Sequence, residues 1–161
     1  MNELARSALQ WIGPLRRVRA FKTRPVATQQ AVLRRLLTQA ADTEWGRAYG
    51  FGEIAGAEDV VSAYQSRVPL HGYADIADDV QRMREGTPDV LWPGTVTNFA
   101  VSSGTVSNGK VIPVSDATIA KNRAFSVGTG LNYLKETLNP QFFAGAHLTL
   151  PGRVEEDPNY P

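Results

Sequence analysis

Between Thr95 and Val114 the chain reads TVTNFAVSSGTVSNGKVIPV, and no other stretch restricts its fold as tightly. Residues 96–101 and 111–114 are rich in Val and other β-prone types. Between them lie Ser102, Ser103, Gly104, Thr105, Val106, Ser107, Asn108, Gly109 and Lys110. A small, hydroxyl-rich, glycine-containing loop therefore joins two extended segments and carries one lysine.

A loop of this composition suits an anion. Glycine permits positive φ and close approach of the backbone. Successive N–H groups then form a concave nest for phosphate oxygens. Hydroxyls add donors that rotate to fit, and lysine adds a compact positive charge. The same residue types also build ordinary hairpin turns, so composition alone leaves both readings open. Gly104 to Lys110 further matches G-x-x-x-x-G-K, most of a Walker A loop. That motif continues with a magnesium-ligating Ser or Thr and then a helix. Here Val111, Ile112, Pro113 and Val114 follow, so the ligand is missing and the context is a strand. The P-loop reading is rejected.

The rest of the chain is patterned mainly for helices. Residues 26–41 place Val32, Leu33, Leu36, Leu37 and Ala40 on one face, with Arg34 and Arg35 off it. Asp42, Thr43 and Gly46 mark the end of that helix and a loop. A short helix is expected over 57–65 with Val60, Val61 and Tyr64 inward, then extended backbone at Val68 before Pro69. Tyr73–Arg84 forms another helix, with Ile76, Val80 and Met83 on one stripe. Gly86, Pro88, Pro93 and Gly94 punctuate the loop after it. Ser115 is a candidate N-cap for a helix over 116–138. Gly128 and Gly130 lie inside that helix and either pack closely or leave room for a ligand. Arg123 reads as an exposed helical arginine, 146–150 as a strand, and PGRVEEDPNYP as an exposed polar segment. Its Glu155, Glu156 and Asp157 read as a solvated acidic turn rather than a magnesium site.

Charge is unevenly distributed. Residues 1–35 hold eight Lys/Arg against Glu3, a balance of +7; the remainder holds nine bases against 15 acids, −6. Apolar positions between Asn2 and Leu15 recur near helical spacing, and Gly13-Pro14 should bend or break a helix there. A helix packing on the domain is the favoured reading. A membrane-surface helix and a nucleic-acid contact are the alternatives. A secretory signal fits poorly, because Glu3 and Arg6 fall where an apolar stretch is required. The absence of cysteine excludes disulfides, thiolate metal sites and cysteine nucleophiles. His71 and His147 are the two histidines, and neither belongs to a Ser–His–Asp arrangement.

The loop resembles the phosphate-binding motif of adenylate-forming enzymes. More narrowly, it is similar to the Gretchen Hagen, or auxin-responsive promoter, family of acyl-acid amido synthetases. Four ordered segments carry the likeness: TEWGRAYGF (Thr43–Phe51), SRVPLHGYADIADDVQRMREGTPDVLWPG (Ser66–Gly94), FAVSSGT (Phe99–Thr105) and KVIPVS (Lys110–Ser115). The loop departs from the family pattern at Val106 and Ser107, with its second glycine delayed to Gly109. The resemblance implies an α/β fold, the N-terminal portion of the large domain of an adenylate-forming enzyme. Helices would be followed by strands around the phosphate-binding loop, in an incomplete domain. A basic N-terminal helical arm over 1–24 would precede that domain, over 25–161. It implies a cytoplasmic, ATP-dependent ligase that adenylates a carboxylic acid and passes the acyl group to an amine or amino acid, with ATP and Mg2+ required. Ser102, Ser103, Gly104 and Thr105 would hold phosphates, and Lys110 would offset the pyrophosphate charge as the catalytic residue. The helix after the loop would border the acyl pocket. No nucleic-acid partner is implied. The second expectation, of another class, is a non-catalytic fragment or nucleotide-binding module that keeps the loop without turnover.

Overall fold

The structure is a computed structural model that describes residues 13–102, 109–146 and 156. Its elements are α1 (Gly13–Thr23), α2 (Pro25–Gln39), α3 (Glu44–Tyr49), α4 (Phe51–Gly56), α5 (Val60–Arg67), α6 (Tyr73–Arg84), β1 (Phe99–Val101), β2 (Val111–Pro113), α7 (Asp116–Thr137) and α8 (Gln141–Ala144). The described chain is therefore mostly helical with one two-stranded antiparallel sheet. Contacts divide it into two units. One spans residues 29–116; the other joins residues up to 28 with 117–156.

The 29–116 unit holds two apolar clusters. Leu37, Ile54 and Val60 form the first, packed by Leu33, Phe51, Ala55, Ala63, Tyr64 and Val68. The second comprises Met83, Val90 and Val96, packed by Leu91 and Phe99. Each such aliphatic side chain, fully buried, contributes roughly 1.5–3 kcal/mol. The predicted face of α2 is half right: Leu37 and Ala40 are buried, whereas Val32 and Leu36 are about two-fifths exposed. On α5, Val60 is fully buried, but Val61 faces outward against expectation. Its N-terminus is set by Asp59, whose carboxylate accepts from Val61 N–H and Ser62 N–H and from the Ser62 hydroxyl. These bonds, the Ser62 hydroxyl first, hold the Asp59 carboxyl below its usual range. Helix α6 has the predicted bounds and buries Val80 and Met83.

The loop expected at Asp42–Gly46 is instead the start of α3. Thr43 is its N-cap and is buried. The Thr43 hydroxyl accepts from Gly46 N–H at 2.9 Å and donates to Ala40 O at 2.7 Å. Gly46 sits against the end of α2, where a Cβ would lie 1.9 Å from Ala40 O and 2.6 Å from Ala41 O. The glycine that reads as a helix terminator is thus required by close backbone approach. Helix α4 also escaped the sequence reading. Arg34, expected to be merely off the apolar face, donates to Ala55 O (2.7 Å), Ala57 O (2.5 Å) and Glu58 O (2.6 Å) at the end of α4.

In the other unit, Gly13-Pro14 lies in the first turn of α1, where proline's missing N–H costs little. Helix α7 follows Ser115 and ends one residue short of the predicted bound. Gly128 and Gly130 are its buried positions; Ile119 and Phe125 are exposed. The strand expected over 146–150 falls outside the described residues apart from Ala146, which is in no strand.

Candidate functional site

Strands β1 and β2 place the ends of the loop. Phe99 pairs with Pro113, Ala100 with Ile112 and Val101 with Val111. Val114 N–H donates to Asn98 O at one end, and Ser102 N–H to Lys110 O at the other, at 2.8 and 3.0 Å. The return bond at the loop end goes to a side chain: Lys110 N–H donates to Ser102 Oγ at 2.9 Å. Ser102 and Lys110 therefore face each other across the mouth of the loop. Gly109 turns the chain back into β2 with φ +72°. A Cβ there would lie 2.7 Å from Val101 Cγ1 and 2.8 Å from Ser102 O, so both conformation and space demand glycine.

The structure thus brings together two of the five sequence-predicted site residues, Ser102 and Lys110. Ser103, Gly104 and Thr105 lie outside the described residues. Having accepted from Lys110 N–H, the Ser102 hydroxyl still has its own proton to donate. Lys110 is exposed, with its ammonium 5.5 Å from the centre of the Tyr73 ring. Among the described residues no carboxylate pairs with it. Its charge is therefore available to an anion. The Tyr73 hydroxyl accepts from Val111 N–H at 3.0 Å and donates to Val111 O at 3.1 Å.

Beneath the hairpin, segments far apart in sequence are tied together. The first N–H groups of α3, which a helix leaves without internal partners, go to the chain after α6: Glu44 N–H to Asp89 O and Trp45 N–H to Val90 O. Arg82 donates to both Glu44 carboxylate oxygens, at 2.6 and 2.9 Å, and to Asp79 at 3.0 Å. The Trp45 indole donates to the other Asp79 oxygen at 2.7 Å. The Arg82 hydrogen bond, aided by its charge and that of Arg47, holds the Glu44 carboxyl below its usual range. Val90 and Val96 then share a cluster with Phe99 of β1. Exposed His71 meets the Tyr49 hydroxyl at 3.1 Å and packs 4.8 Å from the Trp45 ring, an aromatic group that sequence spacing did not announce.

In the other unit, α7 borders a cleft of about 400 Å³, lined by Val18, Lys121, Ala124, Phe125, Gly128, Thr129 and Asn132. Gly128, which is buried, lines it without a side chain. Arg123 is exposed, as expected. Among the described residues no three His, Asp or Glu side chains gather where they could hold a metal ion. The Mg2+ expectation therefore has no protein ligand set there. No helix among the described residues is long and apolar enough to cross a membrane.

Comparison with known proteins adds context to this geometry. The profile described as "GH3 family N-terminal domain" matches residues 14–153. Similar proteins include "Probable indole-3-acetic acid-amido synthetase GH3.1" of Oryza sativa subsp. japonica, 37% identical over 78 residues. "Indole-3-acetic acid-amido synthetase GH3.17" of Arabidopsis thaliana is 29% identical over 104 residues. "Probable indole-3-acetic acid-amido synthetase GH3.7" of Oryza sativa subsp. japonica is 30% identical over 100 residues. The three alignments cover 48%, 64% and 60% of this chain but 12%, 17% and 16% of those proteins.

Proposed function

The chain belongs to the GH3 family, and from that membership we propose that it serves an ATP-dependent acyl-acid amido synthetase as the part that binds the nucleotide phosphates. In the proposed reaction a carboxylate oxygen attacks the α-phosphorus of ATP, and pyrophosphate leaves. An amine, such as that of an amino acid, then attacks the acyl carbon, and AMP leaves with the bonding electrons. Indole-3-acetate, the acid in the relatives' names, is the first acid to try. The chain's task is positioning and charge stabilisation.

One observation carries the reading: Ser102 and Lys110, whose ammonium meets no carboxylate among the described residues, are hydrogen-bonded at the two ends of the segment SSGTVSNGK. Backbone N–H groups and hydroxyls of Ser102, Ser103, Gly104 and Thr105 would meet phosphate oxygens, and Lys110 would offset the charge of the departing pyrophosphate. Magnesium would accompany the nucleotide's phosphates.

The test is carboxylate-dependent exchange of labelled pyrophosphate into ATP, measured on the protein as its gene encodes it. Lys110→Ala is expected to lower exchange by about a hundredfold, the scale of losing one transition-state donor. Undiminished exchange removes Lys110 from the mechanism.

A further inference from the structure

We propose that Tyr73 is the residue that positions Lys110 and the exit of the loop, by fixing both backbone groups of Val111 and lending its ring face to the lysine ammonium. The proposal rests on the phosphate-binding reading above and adds a residue that no loop motif contains.

The argument begins with the strand register. In an antiparallel pair, hydrogen-bonded and non-hydrogen-bonded positions alternate. The bonds from Val114 to Asn98 and from Ser102 to Lys110 mark the bonded positions. Val111, opposite Val101, falls on a non-bonded one. Its N–H and C=O therefore point away from β1, along the free edge of β2. Both are taken by a single phenol, which serves as acceptor at 3.0 Å and donor at 3.1 Å. One side chain thus completes a strand edge next to the lysine.

That side chain stands on a fixed base. Tyr73 opens α6, half-buried, next to Gly72, whose N–H donates to the Asp75 carboxylate at 2.6 Å. Three turns on, Met83 locks the helix into the cluster that also holds Phe99 of β1. Helix α6 and β1 are therefore held by one core, and the phenol ties that core to Val111 of β2, the residue after Lys110. The Lys110 ammonium, 5.5 Å from the ring centre, lies within the range of a cation–π contact. Ring and hydroxyl act on adjacent residues: the hydroxyl fixes the backbone at Val111, and the ring favours one placement of the charge at Lys110.

The two parts separate by substitution. Tyr73→Phe keeps ring and volume but deletes the bridge; Tyr73→Leu deletes both. The readouts are the dissociation constant of Mg-ATP and the pyrophosphate exchange rate, in wild-type and Lys110→Ala backgrounds. In the wild-type background Tyr73→Phe is expected to weaken Mg-ATP binding about three- to tenfold, the scale of lost hydrogen bonds. Tyr73→Leu should weaken it further. In the Lys110→Ala background Tyr73→Phe should cost less, because only the exit of the loop is left to position. An equal loss in both backgrounds, or no loss in the wild-type one, overturns the role of Tyr73 while Lys110 stands. Undiminished binding and exchange in Lys110→Ala overturn the loop reading and this proposal with it. Should Tyr73→Leu fail to fold, the isosteric Phe pair decides alone.

Discussion

At the scale of single residues, Gly46 and Thr43 show how a local requirement reads misleadingly in one dimension. Gly46 looks like a terminator, yet it lies inside α3, pressed on the last carbonyls of the preceding helix. Gly46→Ala would put a methyl 1.9 Å from Ala40 O, so backbone must move. A loss of about 3 kcal/mol or more is expected in urea unfolding. Gly56 is the control: nothing lies within 4 Å of its Cβ site, and Gly56→Ala should change stability by less than about 1 kcal/mol. Thr43 likewise reads as a loop residue, because a polar side chain within a turn signal does not announce that it will be buried. Its burial is tolerable because its hydroxyl both donates and accepts. Such facts concern what arrives from elsewhere in space, and no window of sequence contains them. Lys110 stands out in the sequence for the opposite reason. A lone lysine in a Gly/Ser loop is chemically marked wherever the chain carries it, whereas Tyr73 was hidden because its partner is 38 positions away.

At the scale of elements, the long helices were readable because two or three turns repeat the same side. Val80 and Met83 of α6 fall where a 3.6-residue period puts them. Helices α3 and α4, six residues each, are too short to show a period, and their glycines argued against them. They are held instead by contacts from outside. Arg34 supplies one, reaching the carbonyls at the end of α4, which a helix leaves unsatisfied. Arg34→Lys keeps the charge but loses the planar fork that reaches three carbonyls at once. It is expected to cost about 1–2 kcal/mol in urea or thermal unfolding, with no change in Mg-ATP affinity. A cost near zero would show that charge alone suffices. The strands of the hairpin were legible only in part: 96–98 and Val114 are β-prone but lie outside the three-residue pairs. Val96 serves the core under the hairpin rather than the ladder.

At the scale of the whole molecule, pH offers a test of the ties beneath the loop. The Glu44 carboxyl is held below its ordinary value of 4.5 by Arg82, and Asp59 below 3.8 by the Ser62 hydroxyl and the N–H groups of α5. A carboxyl depressed in the folded state binds its proton more readily when unfolded, so its stabilisation is full above those ordinary values and is lost as pH falls through the folded ones. Melting temperature should therefore drop on acidification below that range. The double variant Glu44→Gln, Asp59→Asn should start lower near neutrality and lose less in acid; parallel curves would deny these two carboxyls the effect. Family membership was likewise legible only at this scale, since four short segments in order carry more than any one of them. What order alone did not reveal is that Glu44 and Trp45 are stitched to Asp89 and Val90, and that Val90 leads into the core of the hairpin. The bond between Lys110 N–H and Ser102 Oγ has a last consequence. Bringing the ends of a flexible stretch together carries an entropic cost that grows only slowly with length. Here Ser102 and Lys110 themselves hold the two ends together. Selection for a ligand can therefore act on the residues between them without the ends coming apart, so that what holds the loop and what the loop holds are separate properties of the chain.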